Sequence, residues 1–256
     1  MRSARAIGFA VLMAALPAWA QDEGQGTESG TQTGVVAVDV DERPIESPRT
    51  GAVHFRLGGY VPLMGEEEGL SSNPYETIFG NASLLLVEME LQRFFYQGIG
   101  TAGVGLSAGY GEKYAPARLA AGGGAAAERT ALKVLPLAFN VFYKFDYAAF
   151  EWSIPLVPYG KLGLDYIPWW MTKGTGTEAP EGRKGSGGKW GWHATGGIAF
   201  MLDVLEPRLA RDFDSGSGVN HSYFFAEYTY ADVANFGAGG LVLSSRRWMF
   251  GLALDY

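Results

Sequence analysis

The sequence predicts an all-β chain in which eight amphipathic strands form an antiparallel up-and-down transmembrane β-barrel. Three observations lead to this prediction. The chain begins with a secretion signal, it then repeats segments in which apolar and polar residues alternate, and the last segment ends on an aromatic residue. Alternation with a period of two is typical of strands, because successive side chains of a strand point to opposite faces.

Residues 1–20 have the pattern of a cleaved signal peptide. Arg2 and Arg5 form a basic start, residues 6–16 are apolar, and Ala18-Trp19-Ala20 is a small-x-small cleavage site. The apolar run is too short for a membrane-spanning helix. We therefore expect three parts: a signal peptide at 1–20, a flexible periplasmic tail at 21–50 that is rich in polar residues, and a barrel at 51–256.

Composition excludes several classes of protein. The chain is 47% hydrophobic and 14% aromatic, but after residue 20 it has no apolar stretch of the length that a membrane helix needs. It has no cysteine, which excludes disulfides and a lipid-anchored N-terminal cysteine. Its net charge is −7, and it has no basic patch with interleaved aromatic residues, so we expect no nucleic-acid partner.

Residues 248–256 give the clearest strand signal. Large apolar residues alternate there with Met, Gly, Ala and Asp. At these residues the chain resembles bacterial outer-membrane β-barrel proteins, whose closing strand alternates in this way and ends on an aromatic residue. The resemblance implies an assembly signal that the barrel-assembly machinery reads, and it consists of Trp248, Phe250, Leu252, Leu254 and Tyr256.

Seven earlier segments alternate in the same way, and each is long enough to cross a bilayer as a tilted strand, which takes about 9–11 residues. They span about Val53–Pro62, Asn81–Phe95, Gly100–Tyr110, Thr130–Phe145, Leu156–Tyr166, Trp190–Leu202 and Asn220–Ala231. Taken in that order, their apolar faces carry Val53, Phe55, Leu57 and Val61; Leu85, Val87, Met89 and Leu91; Val104, Leu106, Ala108 and Tyr110; Leu135, Leu137, Phe139, Val141 and Tyr143; Leu162, Leu164 and Tyr166; Trp190, Trp192, Ile198, Phe200 and Leu202; Phe224, Ala226, Tyr228 and Tyr230.

The predicted connections alternate in length. Residues 63–80, 111–129, 167–189 and 232–246 are long, whereas 96–99 and 146–155 are short. The link at 203–219 is longer than these two, and a helical turn is expected there at Leu205–Phe213. Bacterial barrels combine long extracellular loops with short periplasmic turns, so both termini are expected in the periplasm.

Aromatic residues on the apolar faces fall into two bands. One band, at the extracellular ends, contains Tyr110, Tyr166, Trp170, Trp190, Trp192, Tyr230 and Trp248, and the other, at the periplasmic ends, contains Phe95, Tyr143, Phe145 and Tyr256. Such girdles are typical of strands that cross a bilayer, because amphipathic rings favour the headgroup level. A soluble β-sandwich, the alternative, does not predict them.

The opposite faces carry charges, which strand parity places inside the barrel. The predicted charge network consists of Arg56, Glu88, Glu90, Lys161, Asp165, Glu227 and Arg247, with Gln92 among them. An eight-stranded barrel is just wide enough for its own side chains to fill. We therefore interpret the network as salt bridges inside a filled barrel; a gated ion path is the alternative.

Motifs that suggest catalysis lack the required context. Gly98–Gly103 matches a dinucleotide fingerprint and Gly105–Gly109 a nucleophile elbow, but each lies at or within a strand with no following helix. His54, His193 and His221 show no metal-ligand spacing on one element. We predict no catalytic, metal or cofactor site. A lipid A-modifying enzyme is the least favoured function, because no base lies next to a nucleophile.

The whole pattern resembles the small OmpA, OmpX and OmpW type of outer-membrane barrel over residues 51–256. The resemblance implies an outer-membrane protein with a structural or surface-interaction role, or alternatively a narrow channel for small solutes. Expected partners are outer-membrane lipids and lipopolysaccharide. Loop charges at Glu66-Glu67-Glu68, Arg183, Lys184 and Lys189 could bind its phosphates or divalent ions, but such residues usually solvate a loop. The sequence specifies no oligomeric state.

Overall fold

The computed structural model describes residues 48–66, 73–80, 82–118, 125–173, 176–177, 185–238 and 240–256. The signal peptide, the tail up to residue 47, and the loop residues Glu67, Glu68, Arg183 and Lys184 lie outside the described residues. Within the described ranges the chain has ten strands: β1 (Gly51–Tyr60), β2 (Leu84–Gly98), β3 (Gly100–Arg118), β4 (Ala125–Val134), β5 (Leu137–Lys144), β6 (Leu156–Lys173), β7 (Gly176–Thr177), β8 (Ser186–Met201), β9 (His221–Asp232) and β10 (Ser245–Asp255).

These strands form a closed antiparallel ring. The order around the ring is β1, β2, β3, the pair β4 and β5, β6, β8, β9 and β10, and β10 pairs back onto β1. Because β4 and β5 share one position between β3 and β6, the described ring has eight positions. The short β7 pairs with the end of β6. The predicted eight-stranded up-and-down barrel is confirmed.

The two ends of the barrel differ. At one end, here called the terminal end, β1 begins and β10 ends, and the link between β2 and β3 shrinks to Ile99. At the other, here called the loop end, the long connections lie. The predicted turn at 96–99 was too long, because pairing continues to Gly98 and Gly100. Gly100 has a φ of 109°, a conformation that glycine adopts without strain.

The predicted fourth strand, Thr130–Phe145, is wrong in one respect, since the structure divides it into β4 and β5 at Leu135 and Pro136. Proline has no N–H to donate to a ladder. The neighbouring strands still hold the break: Leu135 N donates to Pro168 O at 2.9 Å, and Gly109 N donates to Pro136 O at 2.8 Å. The wall therefore remains closed by hydrogen bonds on both sides of the break.

In two predicted loops, 111–129 and 167–189, the residues that the structure describes are largely strand. β3 and β4 continue as a paired hairpin beyond residue 110, and β6 extends to Lys173 against β8 from Ser186 onward. Backbone pairing continues into a part of these strands where the outward side chains are no longer regularly apolar. The alternation that defined the predicted strands therefore ends before the strands do.

Three short α-helices occupy connections among the described residues. α1 (Pro74–Phe79) lies in the first long loop, α2 (Tyr147–Glu151) in the second short link, and α3 (Pro207–Ser217) near the predicted helical turn. α1 begins where Asn73 accepts a bond from Tyr75 N and Pro74 takes the first helical position. None of the described helices is long and apolar enough to cross a membrane.

The outer face of the wall is apolar. Large side chains at alternate positions are exposed, for example Leu57, Val87, Leu106, Phe139, Leu162, Ile198 and Phe250. Aromatic rings contact one another across neighbouring strands at the loop end: centroids lie 4.7 Å apart for Tyr166 and Trp190 and 5.7 Å apart for Trp192 and Tyr230. Charged residues are instead buried on the inner face. In a soluble protein the distribution is the opposite, with apolar residues inside and charged residues exposed.

Candidate functional site

The interior of the barrel is the candidate site, and Arg56 lies at its centre. The Arg56 guanidinium donates from Nε to Glu88 Oε2 at 2.7 Å and from Nη1 to Glu90 Oε2 at 2.6 Å, and Nη1 lies 3.1 Å from Glu227 Oε1. All four side chains are buried. A buried charge is tolerated only when it is paired and hydrogen-bonded, which this geometry provides.

Lys161 completes the charge cluster from the opposite wall. Its Nζ lies 2.8 Å from Glu90 Oε2 and 3.2 Å from Glu227 Oε2. Gln92 donates to the second oxygen of Glu90 at 2.8 Å, and the Tyr159 hydroxyl donates to Glu227 at 2.9 Å. The cluster therefore joins β1, β2, β6 and β9 across the interior. We call Arg56, Glu88, Glu90, Lys161 and Glu227 the central network.

Two predicted members lie at the margin of this network. Arg247 Nη2 is 3.6 Å from Glu88 Oε1, and its Nη1 donates to Ser245 Oγ at 2.6 Å. Asp165 instead contacts His193, with 2.8 Å between Oδ2 and Nδ1. The sequence predicted Asp165 as a member of the charge network without naming its partner, and it did not predict the contact with His193. The two residues lie on adjacent strands, β6 and β8, on the inward face.

A second charge cluster at the terminal end was missed. Lys144 Nζ lies 3.1 Å from Asp255 Oδ1, and Arg49 Nη1 lies 3.1 Å from Asp146 and 3.5 Å from Asp255. Thr101 also donates to Asp146 at 2.7 Å. The inward parity of Lys144 and Asp255 was a signal that could have found this pair. Arg49 lies in the segment assigned to the tail, and the structure places it against the barrel.

An apolar plug fills the loop end. α1 turns inward, so that Tyr75 and Phe79 pack against Tyr60, Met64 and Leu243. The Tyr60 hydroxyl donates to Leu243 O at 2.7 Å and the Tyr75 hydroxyl to Ala82 O at 2.9 Å. Burial raises the pKa of the Tyr75 hydroxyl, so it stays a neutral donor. The sequence did not predict that residues of the first long loop enter the barrel.

Between the central network and the terminal-end cluster lies an aromatic layer, which packs Tyr159, Tyr223 and Phe225 with Met201 and Ala253. Two cavities in the described interior, beside His54 and beside His193, have volumes of about 10 Å³ each. A cavity of this size holds about one water. The interior thus alternates between apolar and charged layers, and side chains occupy each layer.

The predicted girdle and assembly residues line the outer wall. Trp190, Trp192, Tyr230 and Trp248 are exposed at the loop end, and Tyr110, Tyr166 and Trp170 are partly exposed there. At the other end, Tyr143 is exposed and Tyr256 is partly buried. Phe250 and Leu252 continue the outward face of β10, and Leu254 borders a cavity of about 250 Å³ under α3.

That cavity also holds the one arrangement among the described residues that resembles a hydrolase site. Asp203 contacts His221 Nδ1 at 2.6 Å through one oxygen and accepts bonds from Ser222 N and Oγ through the other. The serine hydroxyl therefore faces the carboxylate, whereas a nucleophile must face its base. The described residues contain no cluster of three or more His, Cys, Asp or Glu that could hold a metal ion.

Together these features define a closed antiparallel barrel with an apolar outer face and a charged, filled interior. No protein-family model matches the chain, and no curated protein matches it. Among solved structures it is similar to small outer-membrane barrels, the class that the sequence resembles.

Three of these structures illustrate the similarity. OprG from Pseudomonas aeruginosa is 14% identical with a TM-score of 0.47, and the alignment covers 81% of this chain and 97% of that one. Ail, the attachment invasion locus protein of Yersinia pestis, crystallised with the heparin analogue sucrose octasulfate, is 13% identical with a TM-score of 0.41, covering 81% and 99%. The N-terminal barrel domain of Pseudomonas aeruginosa OprF is 12% identical with a TM-score of 0.34, covering 82% and 100%.

Proposed function

We propose that this chain is a non-enzymatic outer-membrane barrel that serves as a structural or surface-interacting protein. The observation that carries the proposal is the filled interior: the apolar plug, the central network, the aromatic layer and the terminal-end cluster follow one another along the barrel axis. An interior occupied by packed side chains offers no path for solutes. What remains available for interaction is the outer wall and the loops.

The outer wall supports the membrane location. Leu57, Leu106 and Leu162 are each more than half exposed on β1, β3 and β6, and similar residues follow on the other strands. Exposed apolar area of this extent is costly in water and favourable in lipid. The long hairpins support an orientation with the loop end outside the cell, because bacterial barrels keep short turns in the periplasm.

The first test of this proposal is conductance. The protein inserted into planar bilayers is expected to give no steady single-channel current under an applied voltage, because the plug and the central network block the axis. Protease protection of the inserted strands serves as the control for insertion. Steady conductance would contradict the filled interior and would favour the alternative function, a narrow channel for small solutes.

The second test concerns the membrane fold itself. Unboiled protein in SDS should migrate at a different apparent mass from boiled protein, because a closed strand ladder resists detergent. The membrane fraction should also keep the protein after carbonate and urea washes. Identical mobility together with release by these washes would indicate a soluble β-sandwich instead.

A further inference from the structure

The apolar outer face of the barrel continues to the terminal ends of β9 and β10. Phe224 and Leu252 are 48% and 51% exposed on this face. Ser222 and Leu254 follow them two residues nearer the terminal end, and they pair with each other across the two strands. Because residues two apart in a strand lie on the same face, Ser222 and Leu254 mark the terminal margin of the outer wall.

The helix α3 lies against this margin. Its residues Ala210 and Phe213 line the same cavity of about 250 Å³ as Ser222 and Leu254. Asp203, in the turn that precedes the helix, accepts bonds from Ser222 N at 3.1 Å and from Ser222 Oγ at 3.2 Å, which ties this turn to the wall. The wall covers Phe213 only in part, since this residue is 52% exposed.

The connection that contains α3 exposes apolar residues outside any strand. Val204 and Leu205 precede the helix and are 44% and 69% exposed. On the helix, Arg208 and Asp212 are exposed as well, and a helix of 3.6 residues per turn places them about 140° and 100° around the axis from Phe213. The helix is therefore amphipathic. A short amphipathic helix of this kind lies in the plane of a membrane surface with its apolar face buried.

The link between β5 and β6 extends this apolar surface. Met201, the last residue of β8, donates from N to Pro155 O at 2.9 Å, so the link borders the turn before α3. Trp152 and Ile154 of the link are 61% and 44% exposed. Tryptophan favours the headgroup level of a bilayer. Its position here, below the strands and beside the amphipathic helix, indicates a surface that meets headgroups.

We infer that α3 and the turn before it bind phospholipid of the periplasmic leaflet, with Leu205 and Phe213 among the acyl chains and the opposite face of the helix in water. The inference rests on the proposed outer-membrane location and on the orientation that puts the terminal end in the periplasm. Continuity with the wall is the reason for choosing lipid over a protein partner. The one polar side chain at the junction, Ser222, already donates to Asp203.

The test measures the depth of single nitroxide labels in the whole protein, reconstituted in bilayers of phosphatidylethanolamine and phosphatidylglycerol. The chain has no cysteine, so one introduced cysteine gives one labelled site. The labelled positions are Leu205 and Phe213, Arg208 and Asp212, and Leu106 of the outer wall as the reference. Collision with oxygen, which concentrates in hydrocarbon, is compared with collision with a water-soluble nickel chelate. The ratio of oxygen to nickel collisions at 205 and 213 should lie near that at 106, and the ratio at 208 and 212 should be lower.

A substitution tests whether apolar contact holds the helix in the membrane surface. Phe213→Asp should lower the collision ratio of a label at position 205, because a carboxylate disfavours the acyl-chain region. Asp212→Asn is the matched control on the opposite face and should leave this ratio unchanged. The label at position 106 should keep its ratio in both variants, which shows that the barrel is still folded and inserted.

Three results would overturn the inference. Nickel collisions at 205 and 213 as frequent as those at 208 and 212 would place the whole helix in water. Few collisions with either reagent at 205 and 213 would show that protein, not lipid, covers them. An unchanged ratio at 205 in Phe213→Asp would remove the role given to the apolar face. Failure of the proposed location is distinguishable from all three, because the label at 106 would then collide mainly with nickel.

Discussion

Replacing Glu90 by alanine is expected to lower the free energy of unfolding by about 3–5 kcal/mol, the usual cost of removing one partner from a buried ion pair. Glu90 is 0% exposed and lies 2.6 Å from Arg56 and 2.8 Å from Lys161. Its loss leaves two cations with too few carboxylates in a space that water enters poorly. The measurement is equilibrium unfolding by urea in lipid bilayers.

Two comparisons make this prediction specific. Glu90→Gln keeps the shape of the side chain but removes its charge, so it should also be strongly destabilising. Leu137→Ala on the outer wall should cost less, because lipid can fill the gap that the truncation leaves. A larger effect for Leu137→Ala would contradict the assignment of inner and outer faces. So would labelling of a cysteine at position 90 by a lipid-phase probe, which is a clean experiment in a chain without cysteine.

Deletion of Tyr256 should sharply reduce the yield of protein in the outer membrane and leave protease-sensitive chain in the periplasm. The structure gives a physical reason in addition to the proposed assembly signal. Tyr256 O accepts bonds from Thr50 N at 2.6 Å and Gly51 N at 2.9 Å, and Tyr256 N donates to Gly51 O at 2.9 Å. These three bonds join the end of β10 to the start of β1 at the terminal end of the barrel.

Tyr256→Phe is the matched control, because it keeps the aromatic ring and all three backbone bonds. Its yield should equal that of wild type when both are measured by immunoblot of separated membranes. Normal yield after deletion of Tyr256 would count against both the assembly signal and the importance of these bonds. A loss of yield in Tyr256→Phe would instead assign the effect to the hydroxyl group.

The strands and their faces could be predicted because lipid imposes a simple rule on them. Outward positions such as Leu137 must be apolar and inward positions such as Glu90 are free to be charged, so parity alone assigns each residue to a side. The same rule assigns five charged residues to the interior without any knowledge of their contacts: Arg56, Glu88, Glu90, Lys161 and Glu227. It does not say which charges meet, so the contact between Asp165 and His193 could not be predicted from it.

The features that the sequence did not predict are those that the alternation of outward apolar and inward polar residues does not determine. α1 enters the barrel because its loop supplies Tyr75 and Phe79, yet nothing local distinguishes an apolar pair that plugs a barrel from one that packs within its loop. Strand ends beyond the lipid, as in β3 and β6, follow from backbone pairing between segments far apart in sequence. The break at Pro136 depends on neighbours, Gly109 and Pro168, that only the folded sheet brings together.

The central network also makes completion of the barrel cooperative. Lys161 of β6 meets Glu90 of β2, and Arg56 of β1 meets Glu227 of β9, although neither pair belongs to adjacent strands. In a sheet whose edges have not yet joined, these groups are too far apart to neutralise one another and stay surrounded by water. Joining the edges and losing that water are then a single event. We therefore expect a partly closed sheet to gain less free energy from entering lipid than the closed barrel does.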